Sequence, residues 1–155
     1  MKQILFSLVF LLVVLSACNN KEMETNYYLS LSGESDHWKL NSYEIVITPE
    51  GSKAGNGTLT MKNEDEHMAD FFSFDTYAVV DGEKNRFHGR SISGQTDIAE
   101  QIIGTIEGEE EALTELSEVN EIYVVVNWND DDADGDKEEV LVLYNKDKNG
   151  KTFLN

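Results

Sequence analysis

Residues Asp130-Asp131-Asp132-Ala133-Asp134-Gly135-Asp136-Lys137-Glu138-Glu139 carry the densest chemistry in the chain. Asp130, Asp132, Asp134 and Gly135 occupy positions 1, 3, 5 and 6 of a calcium loop. In such a loop alternate carboxylates converge on a hard cation and the glycine permits the sharp turn. Position 12 is Leu141, so the bidentate glutamate of an EF-hand is missing, and the flanks read as strands, not helices. The spacing therefore predicts a shorter loop closed by Glu139, or less directly by Glu138, with the Asp136 carbonyl as the seventh-position oxygen. Calcium is the one candidate cofactor, held structurally and weakly, at roughly 10⁻⁴ to 10⁻³ M. The competing reading is a solvated hairpin tip in a chain that is acidic throughout.

Other chemistry is thinner. His37, His67 and His88 are the only histidines and show neither an HxH nor an HExxH spacing, so they read as surface residues and not as a transition-metal set. No serine sits in a G-x-S-x-G elbow, and Gly89-Arg90-Ser91-Ile92-Ser93-Gly94 lacks the lysine of a phosphate loop. A glycosidase needs only two carboxylates at the right separation, a criterion that thirty acidic residues neither support nor oppose. No catalytic residue is assigned, and a non-enzymatic protein is the expectation. Trp38 and Trp128 are the candidate surface aromatics: an exposed indole is a platform for a sugar or a peptide, and the plainer alternative is core or sheet-edge packing. Gly33 is read as permitting a tight turn.

The amino terminus sets the address. Met1-Lys2-Gln3 supply one positive charge, and Ile4 to Leu15 form an apolar run interrupted only by Ser7. That run is about twelve residues, short of the roughly twenty that span a hydrocarbon core, so it reads as a signal peptide over residues 1–17. Leu15-Ser16-Ala17-Cys18 resembles the bacterial lipobox, which directs diacylglycerol to the cysteine thiol before cleavage. One acyl chain holds a protein marginally and two hold it stably, so lipidated Cys18 predicts an anchor on the outer, extracytoplasmic face of the cell membrane. Cys18 is the sole cysteine, so the domain has no disulfide and no thiol nucleophile.

Charge narrows the partners. The chain has 12 basic and 30 acidic residues, a formal net charge of −18. Cleavage before Cys18 removes Lys2 and no acid, which takes the mature chain to −19. Nucleic acid needs clustered lysine and arginine, and an anionic bilayer repels such a surface, so neither is expected to dock directly. A cation or a basic protein surface remains.

The elements that must position these residues read as strands. Residues 18–26 form a polar tether, reaching about 26 Å if residues 19–26 are extended. Tyr27 to Leu31, Tyr43 to Ile47 (entered through Trp38-Lys39-Leu40), Gly57 to Met61, and Phe71 to Val80 have strand character, with Asn63 to Asp70 as a loop. Asp81-Gly82 signals a hairpin turn into Arg86 to Ser93, which Gly94 should end. Asp97 to Ile106 is ambiguous, with strand preferred for Gln101 to Ile106. Residues 109–116 offer one short helix with acids at its amino end, or an acidic loop. Glu121 to Trp128 and Glu139 to Tyr144 are the strongest strands and should pair as a hairpin. Seven to nine short strands predict a single domain over residues 27–155, an all-β antiparallel sandwich, with an immunoglobulin-like order as one option.

The lipobox, Gly33-Glu34-Ser35 followed by Trp38, and a late strand ending in Trp128 before a hairpin together resemble a group of small lipoproteins of Gram-positive bacteria. The resemblance covers the lipobox, residues 31–47 and residues 121–143. It implies an exported β domain and brings no activity with it.

Overall fold

Alternating segments bounded by turn residues dictate strands, and the alternation decides which side chains face inward. The computed structural model describes residues 26–48, 51–107, 113, 116–129, 135–146 and 152–154, with only the backbone for 106–107 and 152–154. The leader, lipobox and tether expectations, apart from Asn26, lie outside the described residues. The described strands are β1 (Tyr27–Glu34), β2 (Trp38–Thr48), β3 (Gly51–Gly55), β4 (Thr58–Met61), β5 (Met68–Val80), β6 (Glu83–Asp97), β7 (Glu100–Ile102), β8 (Ile106–Glu107), β9 (Val119–Asn129), β10 (Asp136–Lys146) and β11 (Thr152–Leu154).

They form two antiparallel sheets. In the first, β1 flanks one side of β2, while β3 and β4 lie end to end along its other side, followed by β8 and β7. The second runs β11-β10-β9-β5-β6. The sandwich expected from the strand pattern is therefore present. The immunoglobulin order is not, because there the third strand has already crossed to the second sheet, whereas here β3 and β4 stay beside β2.

The inner faces meet in one core. Trp38, Leu40, Tyr43, Ile45 and Ile47 of β2 pack toward Phe72, Phe74, Ala78, Ile122, Val124, Val126, Trp128, Leu141 and Leu143, all buried. Strict alternation would turn Trp38 and Leu40 away from the face used by Tyr43, Ile45 and Ile47. A bulge solves this: Asn41 and Ser42 together oppose Ser32 of β1, and Ser42 takes φ 54. One extra residue flips the parity of the strand beyond it, so both halves of β2 bury their apolar set.

Several boundaries differ from the sequence reading. β6 extends beyond Arg86–Ser93 at both ends: Glu83 pairs with Val80 directly after the turn, and past Ser93 the residues Gly94 and Gln95 bulge opposite Asp70 before pairing resumes at Thr96. For the same reason the loop expected to reach Asp70 stops earlier, and β5 starts at Met68. Gln101 to Ile106 splits into β7 and β8, with buried Ile103 between them donating its N–H to the Gly57 carbonyl at 2.9 Å. Of the 109–116 helix, only Leu113, which is buried, and Leu116, which opens a 3-10 turn to Glu118, are described. The Asp81-Gly82 turn is as expected: both residues have positive φ, 51 and 84, the geometry that matches strand twist in a two-residue hairpin.

Gly33 is not a turn residue. It lies within β1, where an added Cβ would come 2.7 Å from the Val142 carbonyl oxygen and 2.8 Å from Leu143 Cδ2. Its missing side chain lets the edge of the first sheet close onto β10 of the second. Beside this contact runs a groove of about 500 Å³ lined by Ser32, Glu34, Lys39, Leu40, Val140 and Val142.

Candidate functional site

Three segments distant in sequence meet at one end of the sandwich. The β1–β2 turn is clamped by Ser35, whose N–H donates to the Trp38 carbonyl at 2.9 Å and whose Oγ accepts from the Trp38 N–H at 3.2 Å. Lys62, just past β4, braces the turn: its N–H donates to the His37 carbonyl at 2.7 Å and its Nζ to the Ser35 carbonyl at 2.6 Å. Glu34 lies 3.4 Å from the same ammonium. The third segment is the β9–β10 hairpin, which supplies Trp128 and Glu139.

Glu139 is the centre of the cluster. One carboxylate oxygen accepts the His37 N–H at 3.0 Å, and the other pairs with His37 Nδ1. Ser35 hydrogen-bonds the same carboxylate. Burial works to raise the Glu139 pKa, but the hydrogen bonds from Ser35, the His37 N–H and the His37 ring outweigh it, and the group is held below the usual glutamate value. With Glu139 ionised, His37 Nδ1 is the donor, and Nε2 lies on the far side of a ring that is 55% exposed. That is the orienting half of a base–acid pair. Ser35 is engaged by Trp38 and by Glu139 itself, so it does not extend the pair into a nucleophile–base–acid relay.

Behind this pair lie the two tryptophans. Their rings meet edge to face at 5.5 Å; Trp38 also contacts Phe72 at 5.7 Å, and Trp128 contacts His37 at 5.9 Å. Trp38 is 0% and Trp128 1% exposed, so neither is the surface platform that was one reading of the sequence. Parity explains it, since both share the inward faces of their strands with Leu40 and Val126.

The acidic loop divides. Asp130, Asp132 and Asp134 lie outside the described residues, while β9 and β10 pair down to Asn129 and Asp136. Glu139, expected to close a calcium loop, is bonded to His37 through both oxygens. It shares the inward parity of Leu141, whereas Asp136 shares the outward parity of Glu138 and Val140, so their side chains leave opposite faces of the sheet. Among the described residues no cluster of three or more metal-ligating side chains occurs.

The other histidines also have partners. His67 Nδ1 pairs with Glu64 at 2.6 Å, and His88 is buried in the core against Tyr43, contrary to the surface placement expected for it. The His37–Glu139 contact spans 102 residues, so no local spacing announces it. Comparison with protein-family models, with curated proteins and with solved structures returned no match to this chain.

Proposed function

We propose that this chain is a membrane-anchored extracytoplasmic lipoprotein whose β domain is a non-enzymatic binding or structural module of the cell envelope. The observation that carries the reading is the order of parts: an apolar leader, Leu15-Ser16-Ala17-Cys18, a short polar stretch, and then the first strand at Tyr27. Two acyl chains on Cys18 would hold the domain at the bilayer, and a packed sandwich that needs no disulfide suits that exposed setting. Mass spectrometry of the native protein is expected to find a diacylglyceryl cysteine as the new amino terminus. Cys18→Ser should leave an unprocessed leader. An unmodified thiol in the native protein removes the anchored reading. Photo-crosslinking in intact envelopes then tests the module: a discrete adduct identifies a binding role, and its absence leaves a structural one.

A second reading, a calcium-stabilised adhesion or envelope-sensing domain, has one observation in its favour. Pairing of Asn129 with Asp136 leaves only residues 130–135 to turn the chain, and four of those six are aspartates. Crowded carboxylates repel one another, and a bound cation relieves this. Millimolar calcium should then raise Tm by several degrees, about 1 kcal/mol or more, and Asp132→Ala with Asp134→Ala should abolish the rise. An unchanged Tm up to millimolar calcium rejects this reading.

A further inference from the structure

The outer face of the second sheet carries an aromatic pair that already holds a cation. Tyr77 of β5 and Tyr123 of β9 are directly opposed in register, and their rings stack at 5.4 Å with planes 23° apart. Lys84 reaches across from β6 and sets its Nζ 3.8 Å from the Tyr77 ring centroid and 5.4 Å from that of Tyr123. An ammonium over the face of a tyrosine is attracted by the ring quadrupole. Lys84 is exposed and held on a flexible stem, so its head is a replaceable occupant of the position it fills.

The surface continues in one direction. Tyr123 is paired with Val142 of β10, so Tyr77, Tyr123 and Val142 form a row across three strands. Val142 and the 48% exposed Val140 then line the groove of about 500 Å³ beside β1. Strands lie about 4.8 Å apart, so the tyrosine pair and the groove are separated by roughly 10 Å, or about three residues of extended chain. The whole protein carries −18, which draws in basic partners and rejects acidic ones.

We propose that the Tyr77–Tyr123 pair and the adjoining Val140–Val142 groove form a docking site for a basic protein segment, with an incoming lysine or arginine replacing Lys84 over the rings and an apolar residue three positions on entering the groove. This rests on the reading of the domain as a binding module. Asp75 is neutralised by Arg86, whose Nε lies 2.5 Å away, so the negative potential on this face comes from Glu138, whose charge acts on Lys84.

The test is calorimetric titration of the full chain, in a non-ionic maltoside detergent at low salt, with the capped peptide Ala-Lys-Thr-Thr-Leu-Ala. Binding is expected for this peptide and not for the version with glutamate in place of lysine. Lys84→Gln should bind about threefold more tightly, because one exposed cation–π competitor is gone. Lys53→Gln, which removes the same charge from β3 of the other sheet, should change affinity less than Lys84→Gln does. Tyr123→Phe keeps the ring and should keep binding, whereas Tyr123→Leu should lose it with the circular dichroism spectrum unchanged. No binding by either the wild type or Lys84→Gln overturns the site, as does an equal gain in the two lysine variants, which would mark general charge attraction. If the peptide fails while envelope crosslinking still yields a discrete adduct, the module reading stands and its surface lies elsewhere.

Discussion

Trp128→Ala is expected to cost about 4 kcal/mol of folding stability, read as a lowered urea midpoint with an unchanged slope. The ring is 1% exposed and wedged between Trp38 and His37, so its removal leaves a cavity that the two sheets cannot close without moving. A domain of this size has roughly 5–15 kcal/mol in total, so the loss is a large share. Trp38→Ala should behave alike, and the double variant should cost less than the sum, since the two rings share one contact. Trp128→Phe should cost distinctly less than alanine. No described residue accepts from the Trp128 indole N–H, so phenylalanine gives up ring volume and no hydrogen bond to those residues. A loss under 1 kcal/mol for Trp128→Ala would place this tryptophan outside the core.

Acidification from pH 7 to pH 4 should remove about 3 kcal/mol through His88 alone. His88 is 4% exposed, its Nδ1 lies 2.7 Å from the Tyr43 hydroxyl, and its ring meets Phe74 edge on at 5.2 Å. Burial, with a smaller contribution from the charge of Arg86, lowers its pKa from 6.5 to about 4. Burial likewise pushes the Tyr43 hydroxyl well above its ordinary value, and the nearby Thr76 hydroxyl opposes this in part, so neither group is charged at neutral pH. The unfolded chain takes up the proton first, near pH 6.5. Stability is therefore full above that value, falls as pH drops through the window from 6.5 to 4, and levels off below it. Carboxylates held below their usual range, such as Glu44, Asp97 and Glu139, erode stability at the acid end of this span. The upper part of the window belongs to His88. Urea midpoints at pH 7, 5.5 and 4.5 should decline in the wild type and flatten in His88→Gln, which keeps an acceptor for Tyr43. Parallel declines in both proteins would show that His88 is not the group responsible.

Much of the architecture was legible because sheet formation leaves a local mark. The alternation in Tyr43–Ile47 and in Phe71–Val80, the Asp81-Gly82 turn and the two β-branched runs of the last hairpin each correspond to a strand or turn in the structure. The bulges were not legible. At Asn41-Ser42 and Gly94-Gln95 the extra residue exists only relative to a partner strand, and the partner's register depends on pairing across the chain. The candidate site was hidden for the same reason. Trp38, Trp128 and Glu139 stood out singly by residue type, but His37 read only as a surface histidine until β1–β2 and β9–β10 brought it onto Glu139.

The amino-acid sequence alone determined the strand content, the hairpin turns, the acidic charge, and the apolar run that ends in Leu15-Ser16-Ala17-Cys18, since each depends on neighbours a few residues apart. Tertiary structure alone decided that both tryptophans are core, that Glu139 meets His37, and that Tyr77, Tyr123 and Lys84 share one face. The physical reason is the range of the interactions. Propensity and parity act along a strand, whereas burial, ion pairing and ring contacts depend on which strands lie side by side, and that is settled only when two sheets close over a common core.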